Sequence, residues 1–229
     1  MVGSNVAVEA CSGTMNRTKL RELISAGESS TVEFKRKFTS VDKFAREMIA
    51  FANTEGGYLI VGVDDDRRIV GVESEKEERN LIEVALHHIA PVLDITIDIV
   101  EIEYVDIVVV LVPRSSLRPH WFVPDDLPVN GKNRKAFIRR GEESVEASRE
   151  MVKVLRGMRP DSPPMTLSIG DREQRLFAYL ERYGRASVND FARLVNISRR
   201  RASQILVKLV RAGVLHVNYE AGHDFFTLV

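Results

Sequence analysis

Apolar residues recur along this chain with two different periods, and the changes of period mark its elements. From Lys19 to Ala26 the spacing is helical and stops at Gly27. Thr31 to Lys35 alternates, with Val32 and Phe34 inward and Glu33 and Lys35 outward, the pattern of a half-buried strand. Phe44, Met48, Ile49 and Phe51 share the face of a helix running to Asn53, and Gly56-Gly57 permits a sharp exit into a strand, Tyr58 to Val63. Asp64-Asp65-Asp66 predicts a turn into a returning strand, Arg68 to Val72. Glu77 to Ile89 is amphipathic and ends before Pro91; Ile95 to Glu103 alternates strictly, and Asp106 to Val112 supplies its partner. Ala136 to Arg139 predicts a short strand and Ala147 to Met158 a closing helix. Strands and helices mix without a regular βαβ rhythm, so the expected fold class is α+β with a mixed sheet.

Three prolines in five residues, Pro160, Pro163 and Pro164, forbid both a continuing helix and a central strand. They place a linker at 159–167, after a first domain at 17–158 and before a second at 168–229. The second domain predicts helices at Arg172–Tyr183, Val188–Val195 and Arg199–Ala212. Strands at Leu215–Tyr219 and Asp224–Leu228 flank a tip of Glu220, Ala221, Gly222 and His223. Gly184 and Gly213 end the first and third helices, while Ser187 and Ser198 suit the caps of the second and third. Three short helices and a hairpin are the winged-helix layout. Asn196-Ile197-Ser198 is a turn short enough to make the second and third helices a helix-turn-helix. In that motif the start of the last helix enters the major groove. The candidate contacts are therefore Ser198, Arg199, Arg200, Arg201, Ser203, Gln204 and Lys208. A protein-interaction module with a basic face would use the same pattern.

The composition, 44% hydrophobic and 29% charged, suits a packed core, and the net charge of zero argues against a uniformly basic binder. Charge is unevenly divided, however. From Ser168 onward ten Lys/Arg face six Asp/Glu, which leaves the preceding residues acidic by four. Nucleic acid would favour the C-terminal segment. A lone cysteine, Cys11, makes neither an internal disulfide nor a Cys-based zinc site. Residues 1–16 lack the pattern of a signal peptide and predict a disordered lead-in, and the aliphatic run Ile107–Val112 is too short for a membrane span. A cytoplasmic location is expected.

Two segments are more specific. Gly27-Glu28-Ser29 leading into Glu33-Phe34-Lys35, and Phe51-Ala52-Asn53-Thr54-Glu55-Gly56-Gly57 leading to Asp64, resemble the Schlafen AlbA_2 domain. Pro119-His120-Trp121 and Ala136 through Glu142 continue the resemblance, which spans about 17–157. It implies a nucleic-acid-binding protein. Microbial members joined to a winged helix are described as transcriptional regulators. The vertebrate members imply a divalent-metal-dependent endoribonuclease of tRNA or rRNA, with Glu28, Glu33 and Asp64 as ligands of Mg²⁺ or Mn²⁺ and Lys35 beside the scissile phosphate. Read without the resemblance, Glu33 and Lys35 are an exposed pair, Glu28 follows a helix end and Asp64 begins a turn. The basic stretch Lys132, Arg134, Lys135, Arg139 and Arg140 suits either a nucleic-acid groove or a solvated loop. ATP binding, also linked to the family, would need a glycine-rich loop, yet Gly131-Lys132 is followed by Asn133 and preceded by none. A single lobe, and the two-half-site habit of winged helices, imply a homodimer.

Overall fold

The computed structural model describes residues 14–124, 134–163, 165–220 and 223–229. Cys11, most of the expected lead-in, Gly131, Lys132, and the hairpin-tip residues Ala221 and Gly222 lie outside the described residues. Two compact units are formed, Met1–Ala147 and Ser148–Val229.

In the first unit, α1 (Arg17–Ala26) begins at Asn16, whose side chain accepts from the Lys19 amide, and stops at Gly27. A four-stranded mixed sheet follows, in the order β1 (Val32–Lys35), β2 (Gly56–Val61), β5 (Val105–Pro113), β4 (Thr96–Ile102). Strand β1 (Val32–Lys35) runs parallel to β2 (Gly56–Val61), and α2 (Val41–Asn53) makes the crossover that a parallel pair requires. After α3 (Glu75–His87) and the two-residue β3 (Ile89–Ala90) come β4 (Thr96–Ile102) and β5 (Val105–Pro113), an antiparallel pair. Strand β6 (Trp121–Phe122) pairs with β3, and β7 (Phe137–Arg140) pairs with β8 (Glu143–Glu146).

The sheet separates two cores. Leu59 and Val61 face α2, with Phe44, Met48, Ile49, Phe51, Val108 and Val110; Tyr58 and Ile60 face α1, with Leu20, Ile24, Val32, Phe34 and Val109. Period-two alternation thus fills both sides of β2 and β5, which is why both read as continuous apolar runs. Gly57 fits only because it lacks a side chain, since a Cβ there would lie 2.5 Å from the Phe51 ring and 2.6 Å from the Thr31 carbonyl. Just beyond β2, Gly62 takes φ 106° and the Gly62 and Val63 amides both donate to the Lys35 carbonyl. The extra residue shifts the alternation, so Val63 joins the α1 side.

The expected returning strand at Arg68–Val72 does not form. One bridge, Val63 to Ile69, is made, and then the Val70 and Gly71 amides both turn onto the Gly62 carbonyl. The Val72 amide passes to Asp106. The chain bends off the ladder because it is drawn across to β5.

The second unit starts with α4 (Arg149–Gly157), ahead of the proline-rich stretch, so this helix packs with the C-terminal residues. Helices α5 (Asp171–Tyr183), α6 (Val188–Leu194) and α7 (Arg199–Arg211) enclose Leu176, Leu180, Phe191, Leu206 and Leu209. The antiparallel hairpin β9 (Leu215–Glu220) and β10 (His223–Leu228) closes that core with Leu215 and Phe226. Ser187 and Ser198 cap α6 and α7 by accepting from the Asp190 and Arg201 amides, and Asp190 reaches back to the Ser187 amide. Among the described residues, no helix is long and apolar enough to cross a membrane.

Candidate functional site

The three carboxylates expected to share an ion are each engaged separately. Phe34 lies on an edge strand, and its amide donates to Glu28 Oε1 at 2.8 Å. Asp64 closes its own turn: Oδ1 accepts from the Arg68 amide at 2.9 Å and Oδ2 from the Arg68 guanidinium at 3.1 Å. The Arg68 amide, seconded by the Arg68 charge, holds the Asp64 carboxyl below its ordinary range. Among the described residues, no group of three or more His, Cys, Asp or Glu side chains is placed to hold a metal ion. Glu28, Glu33 and Asp64 in this arrangement do not fit a shared Mg²⁺ or Mn²⁺.

Glu33 instead belongs to a buried knot around Arg139. The Arg139 side chain is fully enclosed; its Nη1 lies 3.0 Å from Glu33 Oε2, 2.9 Å from Glu47 Oε2 and 3.1 Å from Ser144 Oγ. Nη2 donates to the Ser29 carbonyl at 2.8 Å, and the guanidinium lies 4.8 Å from the centre of the Phe51 ring. Lys35 pairs with the other oxygen of Glu33, and the Ser144 hydroxyl donates to Glu47. Two cations thus match two anions, with Arg139 and Glu33 buried and Lys35 and Glu47 half-buried. Burial pushes the Glu47 carboxyl above its ordinary range; the Ser144 hydrogen bond works against the rise and Glu33 adds to it.

The end of α2 places this arginine. Asn53 Nδ2 donates to the carbonyls of Phe137 and His120, and the Arg139 amide donates to Thr54 Oγ1 at 2.9 Å. The Asn53-Thr54 pair within the distinctive sequence segment therefore grips β7. Arg139 was expected in a nucleic-acid groove, and the structure corrects this. Along β7, Phe137 and Arg139 face inward while Arg140 faces out, because strand side chains alternate. Arg140 pairs with Glu143, Lys135 pairs with Glu146, Arg134 is half-buried, and Lys132 lies outside the described residues. Among its described residues, the basic stretch does not form a row of free cations. Glu47, which the sequence reading missed, carries a usable signal: at three residues after Phe44 and four before Phe51, it is a charge at the edge of the apolar stripe of α2.

In the second unit, Ser198, Arg199, Arg200, Arg201, Gln204 and Lys208 are exposed, and among the described residues Arg199, Arg200 and Arg201 form no ion pair. Ser203 is the exception and a second correction, being buried with its hydroxyl donating to Glu150 Oε2 at 2.5 Å and accepting from Lys153 at 2.7 Å. Arg199 and Arg200 border a cavity of about 670 Å³ that also takes in Arg149, Tyr219 and His223. Asp224, on its wall, has its carboxyl pushed up by burial. The wall thus mixes Arg149, Lys153, Arg199 and Arg200 with the carboxylates of Glu150 and Asp224, and among the described residues Arg199 and Arg200, at the start of α7, carry no carboxylate partner.

The family model described as Schlafen, AlbA_2 matches residues 28–148. Among solved structures, the chain is similar to the DIP2311 protein from Corynebacterium diphtheriae, at 17% identity and a TM-score of 0.45 over 92% of this chain. It spans 38% of that protein. A second similarity is to the N-terminal domain of a protein from Nitrosomonas europaea named as related to the ATP-dependent DNA helicase RecG. There the identity is 22% and the TM-score 0.41, over 66% of this chain and 92% of that one.

Proposed function

We propose that this chain, which belongs to the Schlafen AlbA_2 family, binds nucleic acid chiefly through its C-terminal unit. That unit acts as a winged helix-turn-helix on duplex DNA in transcriptional regulation. One observation carries the reading: three consecutive arginines at the start of α7, open to solvent and paired with no carboxylate among the described residues. Gln204 and Lys208 extend the same exposed face by one and two turns. The short link between α6 and α7, the Ser198 cap and the β9–β10 hairpin all suit a helix presented to a groove. Arginine forks pair with guanine edges and with phosphate, and amides at a helix start add a favourable dipole. A homodimer is part of the proposal, since two half-sites need two copies of α7. In this reading the Schlafen AlbA_2 unit is a second nucleic-acid-binding or effector-sensing unit, built around its internal charge knot.

The test is duplex binding followed by fluorescence anisotropy across a salt series. Changing Arg199, Arg200 and Arg201 together to alanine should weaken binding by about 3 kcal/mol or more. It should also reduce the salt slope by up to roughly 0.9 for each phosphate that is no longer neutralised. A variant that remains folded and keeps both the parent affinity and the parent slope would overturn the proposal.

A further inference from the structure

Helix α7 is covered on two sides, and only one of them is its own core. Ala202, Ile205, Leu206 and Leu209 form the stripe that packs on α5, α6 and the hairpin. Ser203, Val207 and Arg211 recur at i, i+4 and i+8, roughly 150° round the axis from that stripe. A serine and a valine so placed should face solvent. Both are buried, at 3% and 9% exposure, and neither belongs to the core cluster.

Helix α4 covers them. Glu150 and Lys153 both hydrogen-bond to Ser203, and two turns on, Gly157 lies against Arg211: a Cβ at Gly157 would be 2.6 Å from the Arg211 Cδ. Contacts advance together along both helices, so α4 lies alongside α7 in the same direction. The outward arc left open holds Arg200, Arg201, Gln204 and Lys208.

The dimensions decide what this means for duplex binding. A major groove is about 12 Å wide and one helix with its side chains fills about 10–12 Å. Two helices side by side at 8–10 Å between axes need roughly 20 Å. The groove can admit α7 alone, but not α7 with α4 on its outer flank. Between α4 and α5, residues 158–170 contain no helix or strand among those described, and Pro160 and Pro163 keep that tether irregular. Helix α4 has slack to leave without unwinding α5.

We infer that α4 is a built-in cover of α7, which duplex DNA displaces in order to bind. This rests on the DNA reading above and adds regulation to it: whatever holds α4 down lowers affinity, and whatever draws it away raises it. The test uses the full chain with Cys11→Ser, so that an added cysteine pair, Gly157→Cys with Arg211→Cys, is the sole route to a disulfide. One preparation is compared oxidised and reduced. The oxidised form should bind duplex at least about tenfold more weakly than the reduced form, because the cross-link holds the closed state. In the parent chain, amide hydrogen exchange over Arg149–Gly157 should speed up when duplex is added. Equal binding by both redox forms, or exchange over α4 that is unchanged or slowed by duplex, overturns the cover even if the triple arginine variant still abolishes binding. If the parent chain binds no duplex at all, the DNA reading fails first and the cover falls with it.

Discussion

Arg139 and the arginines of α7 show the same side chain in opposite circumstances. Arg139 is enclosed and its guanidinium is shared among Glu33, Glu47, Ser144 and the Ser29 carbonyl, with the Phe51 ring against it. Arg199, Arg200 and Arg201 are in water, with no carboxylate paired to them among the described residues. Burying a charge costs several kcal/mol, so the protein surrounds Nη1 and Nη2 of Arg139 with acceptors of its own and keeps the guanidinium out of reach of a ligand in solvent. Cations kept wet and unpaired retain their full attraction for phosphate. Where an arginine points therefore says more about its role than how many neighbours in sequence share its charge.

The contrast can be broken most forcefully at Arg139. Arg139→Ala leaves the buried Glu33 and the half-buried Glu47 without their shared partner and should cost the first unit roughly 3–5 kcal/mol. Urea denaturation followed by Trp121, the chain's single tryptophan, would report it. Replacing the whole knot, Arg139→Met with Glu33→Gln and Glu47→Gln, should recover much of that loss, which a ligand-binding role for Arg139 would not predict.

A smaller effect comes from the displaced Glu47 carboxyl. Its folded pKa lies above 4.5, so between 4.5 and the folded value the native state holds more protons than the unfolded one. Stability of the first unit should accordingly fall as pH rises through that window, by about 1.4 kcal/mol for each unit of displacement. Glu47→Gln should remove that component of the slope, and denaturation midpoints on either side of the window would measure it. The Asp64 carboxyl is displaced the other way, so its contribution is lost as pH falls below 3.8, which keeps the two slopes apart.

The smallest effect tests the exposed side of the comparison. Ser198→Ala removes the cap on α7 and should loosen its first turn by roughly 1 kcal/mol. Faster hydrogen exchange at the Arg201 amide, with the α5 amides unchanged, is the expected result.

Locally determined features were legible in the sequence. The alternating segment Ile95–Glu103 became β4, with its phase changing at Ile99-Val100; the apolar run before Pro113 became β5, and α5, α6 and α7 fall within one residue or so of their expected ends. Serine caps are short-range, and both Ser187 and Ser198 act as expected. Asp64 also follows from its neighbours, since its partner Arg68 is four residues away. What the sequence concealed depends on distant segments meeting. Glu33 and Arg139 are 106 residues apart, and no periodicity announces that α2 will carry Glu47 to the same point. The covering of Ser203 is of the same kind: α4 alone looked like the last helix of the first domain, because the prolines after it make the more conspicuous break. A residue's face follows from local spacing, whereas the neighbour that occupies that face does not.

The span across the Arg139 knot also sets an order of assembly. Glu47 leaves the ribosome 92 residues before Arg139, a delay of roughly 5–20 s at ordinary synthesis rates. Throughout that interval two carboxylates and one lysine belong to a site lacking its central cation, and enclosing them would cost more than the contacts return. The β4–β5 hairpin, joined at Glu103-Tyr104, can form as soon as it emerges, and β2 can then dock beside β5. Helix α2 can lie on the sheet by its apolar stripe, but its Glu47 side must stay hydrated until β7 arrives. Closure of the first unit is thus timed by one late arginine, and a chain released before residue 139 would carry an open seam along α2.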